Sequence, residues 1–249
     1  MKLVGRVALV TGATGSLGQY ICQALAAQGA SVVAGYNRSA QAAEDLLSTL
    51  SEVAHGHLTC AAPVTDSQAL QLLAEQIKNR FGRCDIVVNC AGTTRFVAHA
   101  NLSGLDDELI DSILTTNIRG PIAVVRALQP LLEQSDDGLI INITSIAGKT
   151  AMGSNIAYCA SKAALDNLTI SLARALAPKI RVVSVAPGLS DTEFVKGLDQ
   201  DWRNEQASAT PLGRLAMPQE VAAAVIAVAT QLTFTTGAII PVDGGRPIH

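Results

Sequence analysis

The chain has 249 residues, 49% of them apolar and only 3% aromatic, with a formal net charge of −3; so many small aliphatic side chains suit layered helices and parallel strands around one large core rather than an all-β sandwich. No stripe of Lys and Arg forms, so neither nucleic acid nor an anionic membrane is expected as a partner, and the longest apolar helical run, Val221 to Ala229, falls far short of the roughly 20 residues a membrane span requires. Five cysteines (Cys22, Cys60, Cys84, Cys90, Cys159) without a CxxC pair argue against a disulfide framework or a zinc site, and His55 and His57 lack a third ligand nearby, which points to a soluble, untargeted protein of a reducing cytoplasm with no metal.

The first predicted strand, Val7 to Val10, runs into Thr11-Gly12-Ala13-Thr14-Gly15-Ser16-Leu17-Gly18 and a helix over Ser16 to Gln28. Glycines at such a strand-to-helix turn let a pyrophosphate approach the backbone amides and the positive end of the helix dipole. The second strand, Ser31 to Gly35, ends in Tyr36-Asn37-Arg38-Ser39. A carboxylate there would hold the ribose hydroxyls of NAD. None is present, and Arg38, helped by Asn37 and Ser39, can accept a 2′-phosphate, so NADP is expected over NAD. The third strand, His57 to Ala61, precedes Pro63-Val64-Thr65-Asp66 and a helix over Asp66 to Phe81; the fourth, Asp85 to Asn89, precedes Cys90-Ala91-Gly92. The acidic run Asp106-Asp107-Glu108, just after Ser103, reads as a capped helix start with negative charge at the positive end of the dipole.

A fifth strand, Leu139 to Thr144, is followed by Ser145, and a long helix over Asn155 to Ala177 carries Tyr158 and Lys162 four residues apart on one face. A phenol alone holds its proton to about pH 10. A fixed ammonium beside it favours the phenolate, which makes the pair a proton donor with its own activator. Strands over Arg181 to Val185 and Ala238 to Val242, with a helix over Pro218 to Ala229 between them, complete seven strands alternating with helices. That alternation requires an α/β fold, a doubly wound parallel seven-stranded sheet with helices on both faces, the Rossmann arrangement. No linker or repeat interrupts it, so residues 1–249 read as one dinucleotide-binding domain, with a substrate lid at about 189–215.

The glycine loop, Asn89-Cys90-Ala91-Gly92, Asn117, Ser145, Tyr158 with Lys162, and Pro187-Gly188 through Thr192 resemble, in this order and over essentially the whole chain, the short-chain dehydrogenase/reductase family of single-domain oxidoreductases. The resemblance implies that Tyr158 gives its proton to a carbonyl oxygen, or takes it back in the alcohol direction. Ser145 would orient the same oxygen, Lys162 would anchor the nicotinamide ribose, and Asn117, expected midway along a helix, would hold a water linking Lys162 to solvent. It assigns the cofactor to Gly12, Thr14, Gly15, Ser16, Leu17, Gly18, Asn37, Arg38, Ser39, Val64, Asn89, Ala91, Gly92, Tyr158, Lys162, Pro187, Gly188 and Thr192. Asn89 also has a structural reading, tying adjacent strands through its amide.

The chain departs from the family pattern in three places. Ser16 fills the second-glycine position, with Gly15 supplying a glycine one place earlier. Pro63 stands where relatives have an Asp for the adenine amino group and offers no side-chain acceptor, so adenine would rest on the Val64 backbone. Cys90 replaces a common Asn and reads as packing.

The segment from Leu189 to Leu215, with Asp191, Phe194, Lys196, Trp202 and Arg203, is expected to cover the substrate. Phe96, Ile146, Met152 and Trp202 suit a moderately apolar ketone or aldehyde, whereas Lys149 or Arg95 suits a carboxylate. Ser135-Asp136-Asp137-Gly138, expected close to the sheet edge where the pocket opens, would repel an acidic carrier protein. A free small carbonyl compound or alcohol is therefore preferred, with a 3-oxoacyl group on acyl carrier protein second. The resemblance also implies a homotetramer. The rival from another class is a NADP(H)-binding sensor or scaffold without turnover.

Overall fold

The computed structural model describes residues 1–197 and 199–248. Over these residues seven parallel strands form one sheet in the order β3-β2-β1-β4-β5-β6-β7: β1 Val7–Thr11, β2 Ser31–Tyr36, β3 Leu58–Ala61, β4 Ile86–Asn89, β5 Gly138–Ile143, β6 Ile180–Pro187 and β7 Ile239–Val242. The helices are α1 Gly18–Ala27, α2 Ala40–Ser48, α3 Ser67–Phe81, α4 Asp107–Leu114, α5 Gly120–Leu132, α6 Ala147–Thr150, α7 Ile156–Leu176, α8 Glu193–Lys196, α9 Gln200–Ser208 and α10 Pro218–Thr230. Each expected strand is present, its ends displaced by a residue or two. Strands β1 and β5 are buried along their whole length, as predominantly aliphatic runs covered on both faces must be.

Two cores lie on opposite faces of the sheet. Ile21 and Leu25 of α1, Leu46 of α2 and Val221, Val225 and Val228 of α10 pack on one face. Leu70, Leu73 and Ile77 of α3, Val124, Leu128 and Leu132 of α5 and Ala173 of α7 pack on the other. The chain builds outward from β1 through β2 to β3, then returns to place β4 on the other side of β1. The loops leaving the carboxyl ends of β1 and β4 therefore diverge and open a crevice.

The amino-terminal edge of the sheet is tied by Asp85, whose side chain has no exposure. It accepts from Arg6 Nη1 at 2.9 Å, Val7 N at 2.9 Å, Arg83 Nε at 2.9 Å and Ser135 Oγ at 2.7 Å, and also from Arg83 Nη2. The loop at 135–138 belongs to this knot, which corrects its expected position. Being the lead-in to β5 it must lie at the opposite end of that strand from Ser145. Its charges are neutralised: Asp136 pairs with Arg6, and Asp137 with Arg181 at 3.0 Å.

Two other expectations are refined. The cap of α4 is Asp106, which accepts from Leu109 N at 2.8 Å, while Ser103 donates to Asn101. Asn117 stands not midway along an α-helix but in a π-helical turn, Thr115–Arg119, between α4 and α5; such turns recur at functional sites. Among the described residues no helix is long and apolar enough to cross a membrane, and no three His, Cys, Asp or Glu side chains gather as a metal site requires.

Candidate active site

The crevice begins at Thr11, the last residue of β1, whose hydroxyl accepts from Cys90 N and Ala91 N, both at 3.2 Å. Gly12 has φ +65°, and a Cβ there would stand 2.9 Å from Ala91 Cα, so the two loop tips touch backbone to backbone. At Gly18 a Cβ would come within 2.2 Å of the Gly12 carbonyl oxygen. Gly15 N closes a turn on the same carbonyl at 3.0 Å. The glycines at 12, 15 and 18 thus fold on one another, and Ser16 is accommodated because Gly15 serves the tight turn. No side chain caps α1, whose N-cap is Leu17; the amide end of the helix is left for an anion.

Asn37 and Arg38 are exposed beyond the end of β2, and Ser39 is occupied as the cap of α2, accepting from Ala42 N at 3.1 Å. Across the crevice Asp66 caps α3 through Gln68 N at 2.9 Å and Ala69 N at 3.1 Å, so it does not stand in for the carboxylate missing at Pro63. Val64 is buried with its side chain against Gly120, where a Cβ would stand 2.8 Å from Val64 Cγ2. The Asn89 amide donates to Asn142 Oδ1 at 2.9 Å between β4 and β5, in agreement with the strand-tying reading. Its own Oδ1 is buried without a partner. Burial pushes the Cys90 thiol up to about 11, against the pull of Lys162, as befits a packing residue.

Ser145 lies just beyond β5, and its hydroxyl accepts from Ala147 N at 3.2 Å. The short helix α6 that follows packs on α7 through Gly148, where a Cβ would meet the Lys162 carbonyl carbon at 2.8 Å, and Gly153 faces the Tyr158 ring. Tyr158 is half-buried in the first turn of α7. One turn on, Lys162 is 6% exposed; its Nζ donates to Ile143 O at 2.9 Å and lies 5.6 Å from the centre of the Tyr158 ring. A Cβ on Gly92 would stand 3.4 Å from Asn117 Oδ1 and 3.9 Å from Lys162 Nζ. The end of β4, the π turn and α7 therefore meet at one point.

The Asn117 amide accepts from Thr93 N at 2.8 Å and donates to Thr93 O and Ser161 Oγ, both at 3.1 Å. Opposite, Pro187 O accepts from Ile146 N at 3.0 Å and Gly188 N donates to Val242 O at 2.9 Å. Thr192 caps α8 through Val195 N at 3.3 Å. The chain from there to residue 215 leaves and returns at one point, where Asp191 N bonds Ala216 O and Ala216 N bonds Leu189 O. Arg203 of α9 is tied to Asp191 at 2.8 Å, and Trp202 is half-buried. The Phe194 side chain and residue 198 lie outside the described residues.

Four further residues belong to this site although the sequence did not single them out: Thr11, Asn155, Ser161 and Asp166. Asn155 carried a readable signal, an Asn three residues ahead of Tyr158 at a helix start. Asp166 continues the four-residue spacing of Tyr158 and Lys162, and its Oδ1 is buried without a partner. Burial pushes its carboxyl up, opposed by Thr144 and Lys162.

The crevice fits a dinucleotide. Gly12 and Gly18 let the turn before α1 close backbone against backbone, α1 starts without a side-chain cap, and Arg38 stands exposed just beyond the end of β2. A family model described as enoyl-(acyl carrier protein) reductase matches residues 12–246. The chain is 32% identical to the 3-oxoacyl-(acyl-carrier-protein) reductase FabG of Thermotoga maritima over the whole of both chains. It is 36% identical to cis-4-hydroxycyclohexanecarboxylate dehydrogenase of Sinomonas cyclohexanicum over 96% of each. A solved short-chain dehydrogenase/reductase from Burkholderia xenovorans superposes with a TM-score of 0.90 at 29% identity, covering 98% of each chain. The chain belongs to the short-chain dehydrogenase/reductase family, NAD(P)-dependent oxidoreductases that act on carbonyl and alcohol groups.

Proposed function

We propose that this protein is an NADPH-dependent carbonyl reductase, reversible toward the secondary alcohol, in which Tyr158 is the general acid and base. The observation that carries this reading is the Tyr158–Lys162 pair, with the ammonium anchored on Ile143 O beside the phenol ring. Bound in the crevice, the nicotinamide supplies or receives the hydride. Tyr158 delivers the proton to the carbonyl oxygen or removes it from the alcohol. Ser145 holds that oxygen in line, and its hydroxyl can donate because the contact with Ala147 N uses only an acceptor lone pair. Lys162 keeps positive charge beside the developing phenolate and reaches the ribose. Asn117 Oδ1 and Lys162 Nζ flank the same point at Gly92, where a bound water would join Lys162 to solvent.

Arg38 supports NADPH, with the phosphates carried by Gly12, Thr14, Gly15, Ser16, Leu17 and Gly18, and the ribose side by Asn37 and Ser39. Val64, Asn89, Ala91 and Gly92 would line the adenosine and nicotinamide sides, with Pro187, Gly188 and Thr192 closing the far wall. Residues 189–215 act as a lid over one domain, hinged at the contacts of Leu189 and Asp191 with Ala216. Arg38→Ala should weaken NADPH about tenfold or more while leaving NADH nearly unchanged. Fluorescence titration of both cofactors checks this, and unchanged selectivity would remove the role of Arg38.

For the substrate, a 3-oxoacyl thioester takes first place, because named relatives are 3-oxoacyl reductases and the acidic loop once counted against a carrier lies on the other edge of the sheet. A free oxo acid is second. Its support is the Sinomonas relative together with Lys149, which is exposed one turn from Ser145, whereas Arg95 is spent on Asp106 at 2.7 Å. Comparing turnover of a 3-oxobutyryl thioester with that of 4-oxocyclohexanecarboxylate under NADPH decides between them. Exposed Leu114, Ile122 and Ile156 on α4, α5 and α7 support assembly as a homotetramer, which light scattering would test.

A further inference from the structure

The irregular segment at 93–99 has little structure of its own; it hangs from two asparagines. At its start Thr93 N and O are both taken by Asn117. At the next two residues, Asn155 donates to Thr94 Oγ1 at 3.2 Å and to Arg95 O at 2.7 Å. Alongside, Thr94 and Ser154 share a hydroxyl contact at 2.6 Å, Val97 N donates to Ser154 O at 2.8 Å, and His99 Nε2 meets Gly153 O at 3.1 Å.

The same two asparagines also hold the peptide of Tyr158. Asn155 Oδ1 accepts from Tyr158 N at 2.7 Å as the cap of α7. On the other side Ser161 Oγ, bonded by Asn117, donates to Tyr158 O at 2.7 Å. Asn155 is 1% exposed and its one acceptor and two donors are all in use. A simple helix cap needs only the acceptor, so the two donors bonded to the 93–99 segment call for a separate explanation.

We propose that Asn155 is a positioning residue that makes the 93–99 segment part of the mount of Tyr158. A substrate resting against this segment would then set the height of the phenol over its carbonyl. The inference rests on the reading of Tyr158 as the proton donor. It commits Asn155 to two separable tasks: the oxygen caps the helix, and the nitrogen clamps the loop.

Asn155→Ser keeps a capping oxygen and deletes the clamp, and Asn155→Ala deletes both. With NADPH and a 3-oxobutyryl thioester, Asn155→Ser should lose about tenfold in kcat, as expected for a misplaced catalytic group. Its NADPH affinity should stay within about twofold, since the cofactor cradle is untouched. Amide exchange should rise at Val97 while Tyr158 N stays protected in the Ser variant and loses protection in the Ala variant. Thr94→Val alone should lower kcat, and adding it to Asn155→Ser should do little more, because the contact is already broken. Wild-type kcat in Asn155→Ser beside an inactive Tyr158→Phe would overturn the coupling alone, as would a loss matched by lost cofactor binding or strictly additive effects with Thr94→Val. Full turnover in Tyr158→Phe, or none in the wild type, would overturn the assignment of Tyr158 and this inference with it.

Discussion

The two edges of the sheet are built on opposite terms. At the amino-terminal edge Asp85 is surrounded by donors from Arg6, Val7, Arg83 and Ser135 and ties the starts of β1, β4 and β5. At the carboxyl edge Asn89 Oδ1 and Asp166 Oδ1 are buried without partners, and α1 starts with no side-chain cap. A buried polar group costs free energy unless it is hydrogen-bonded. Unpartnered buried atoms occur at both edges, Arg181 Nη2 among them at the amino-terminal one, so what separates the two is the ionic knot around Asp85 on one side and the uncapped start of α1 facing the crevice on the other.

Substitutions at the two edges should separate stability from activity. The largest effect belongs to the carboxyl edge: Tyr158→Phe should lower kcat by roughly 10²–10⁴-fold with little change in melting temperature, read by NADPH oxidation and a thermal scan. Next, Asp85→Ala should cost about 3 kcal/mol in urea unfolding, because Val7 N and Ser135 lose a buried acceptor and the Arg6 and Arg83 guanidinium groups lose their buried counter-charge, keeping only the exposed Asp136; NADPH affinity should not follow. Its pH dependence has a definite sign. Burial raises the Asp85 carboxyl, but hydrogen bonds from Arg83, Ser135, Val7 and Arg6 outweigh it and leave the group below its ordinary value. The stabilisation is complete above the unfolded carboxylate range and fades as pH falls through the folded value, so wild type and Asp85→Ala should converge in acid.

Gly18→Ala sharpens the contrast from the other side. Its Cβ would fall 2.2 Å from Gly12 O, which must deform the glycine turn before α1 at a cost of about 1–3 kcal/mol. Cofactor titration should register it more strongly than the same protein's melting temperature does. The smallest effect is expected at Asp166. Its carboxyl is raised by burial, against the pull of Thr144 and Lys162, so it weakens the fold once the pH passes the unfolded carboxylate value. Asp166→Asn should therefore melt slightly higher at neutral pH, with the gain absent below about pH 4. A lower melting temperature at pH 7 would show that Asp166 has a partner worth more than its desolvation.

Much of this edge was legible before any coordinates. Leu139 to Thr144 and Ser31 to Gly35 read as strands because short, mostly apolar runs of that length, bounded by turn residues, fit a sheet covered on both sides. Tyr158 and Lys162 read as a pair because four residues make one helical turn. The asparagines were harder. Asn155 meets Thr94 and Arg95 about sixty residues away in sequence, and local spacing carries no trace of such a contact. The π turn at Asn117 adds one residue to a helical repeat, too small a change for an apolar pattern to reveal. The acidic loop at 135–138 failed for a different reason: its charge was plain, but its edge was misjudged, although a loop that leads into a parallel strand must lie opposite the one that leaves it.

The Thr11 hydroxyl fixes the gap between the tips of β1 and β4 by binding Cys90 N and Ala91 N. Arg38, by contrast, sits one strand away with nothing structural depending on it. On the proposed reading, cofactor preference and crevice width are set by separate parts, and exchanging Asn37 and Arg38 to favour the other dinucleotide, with Ser39 kept as the cap of α2, should leave the spacing of the two loop tips unchanged.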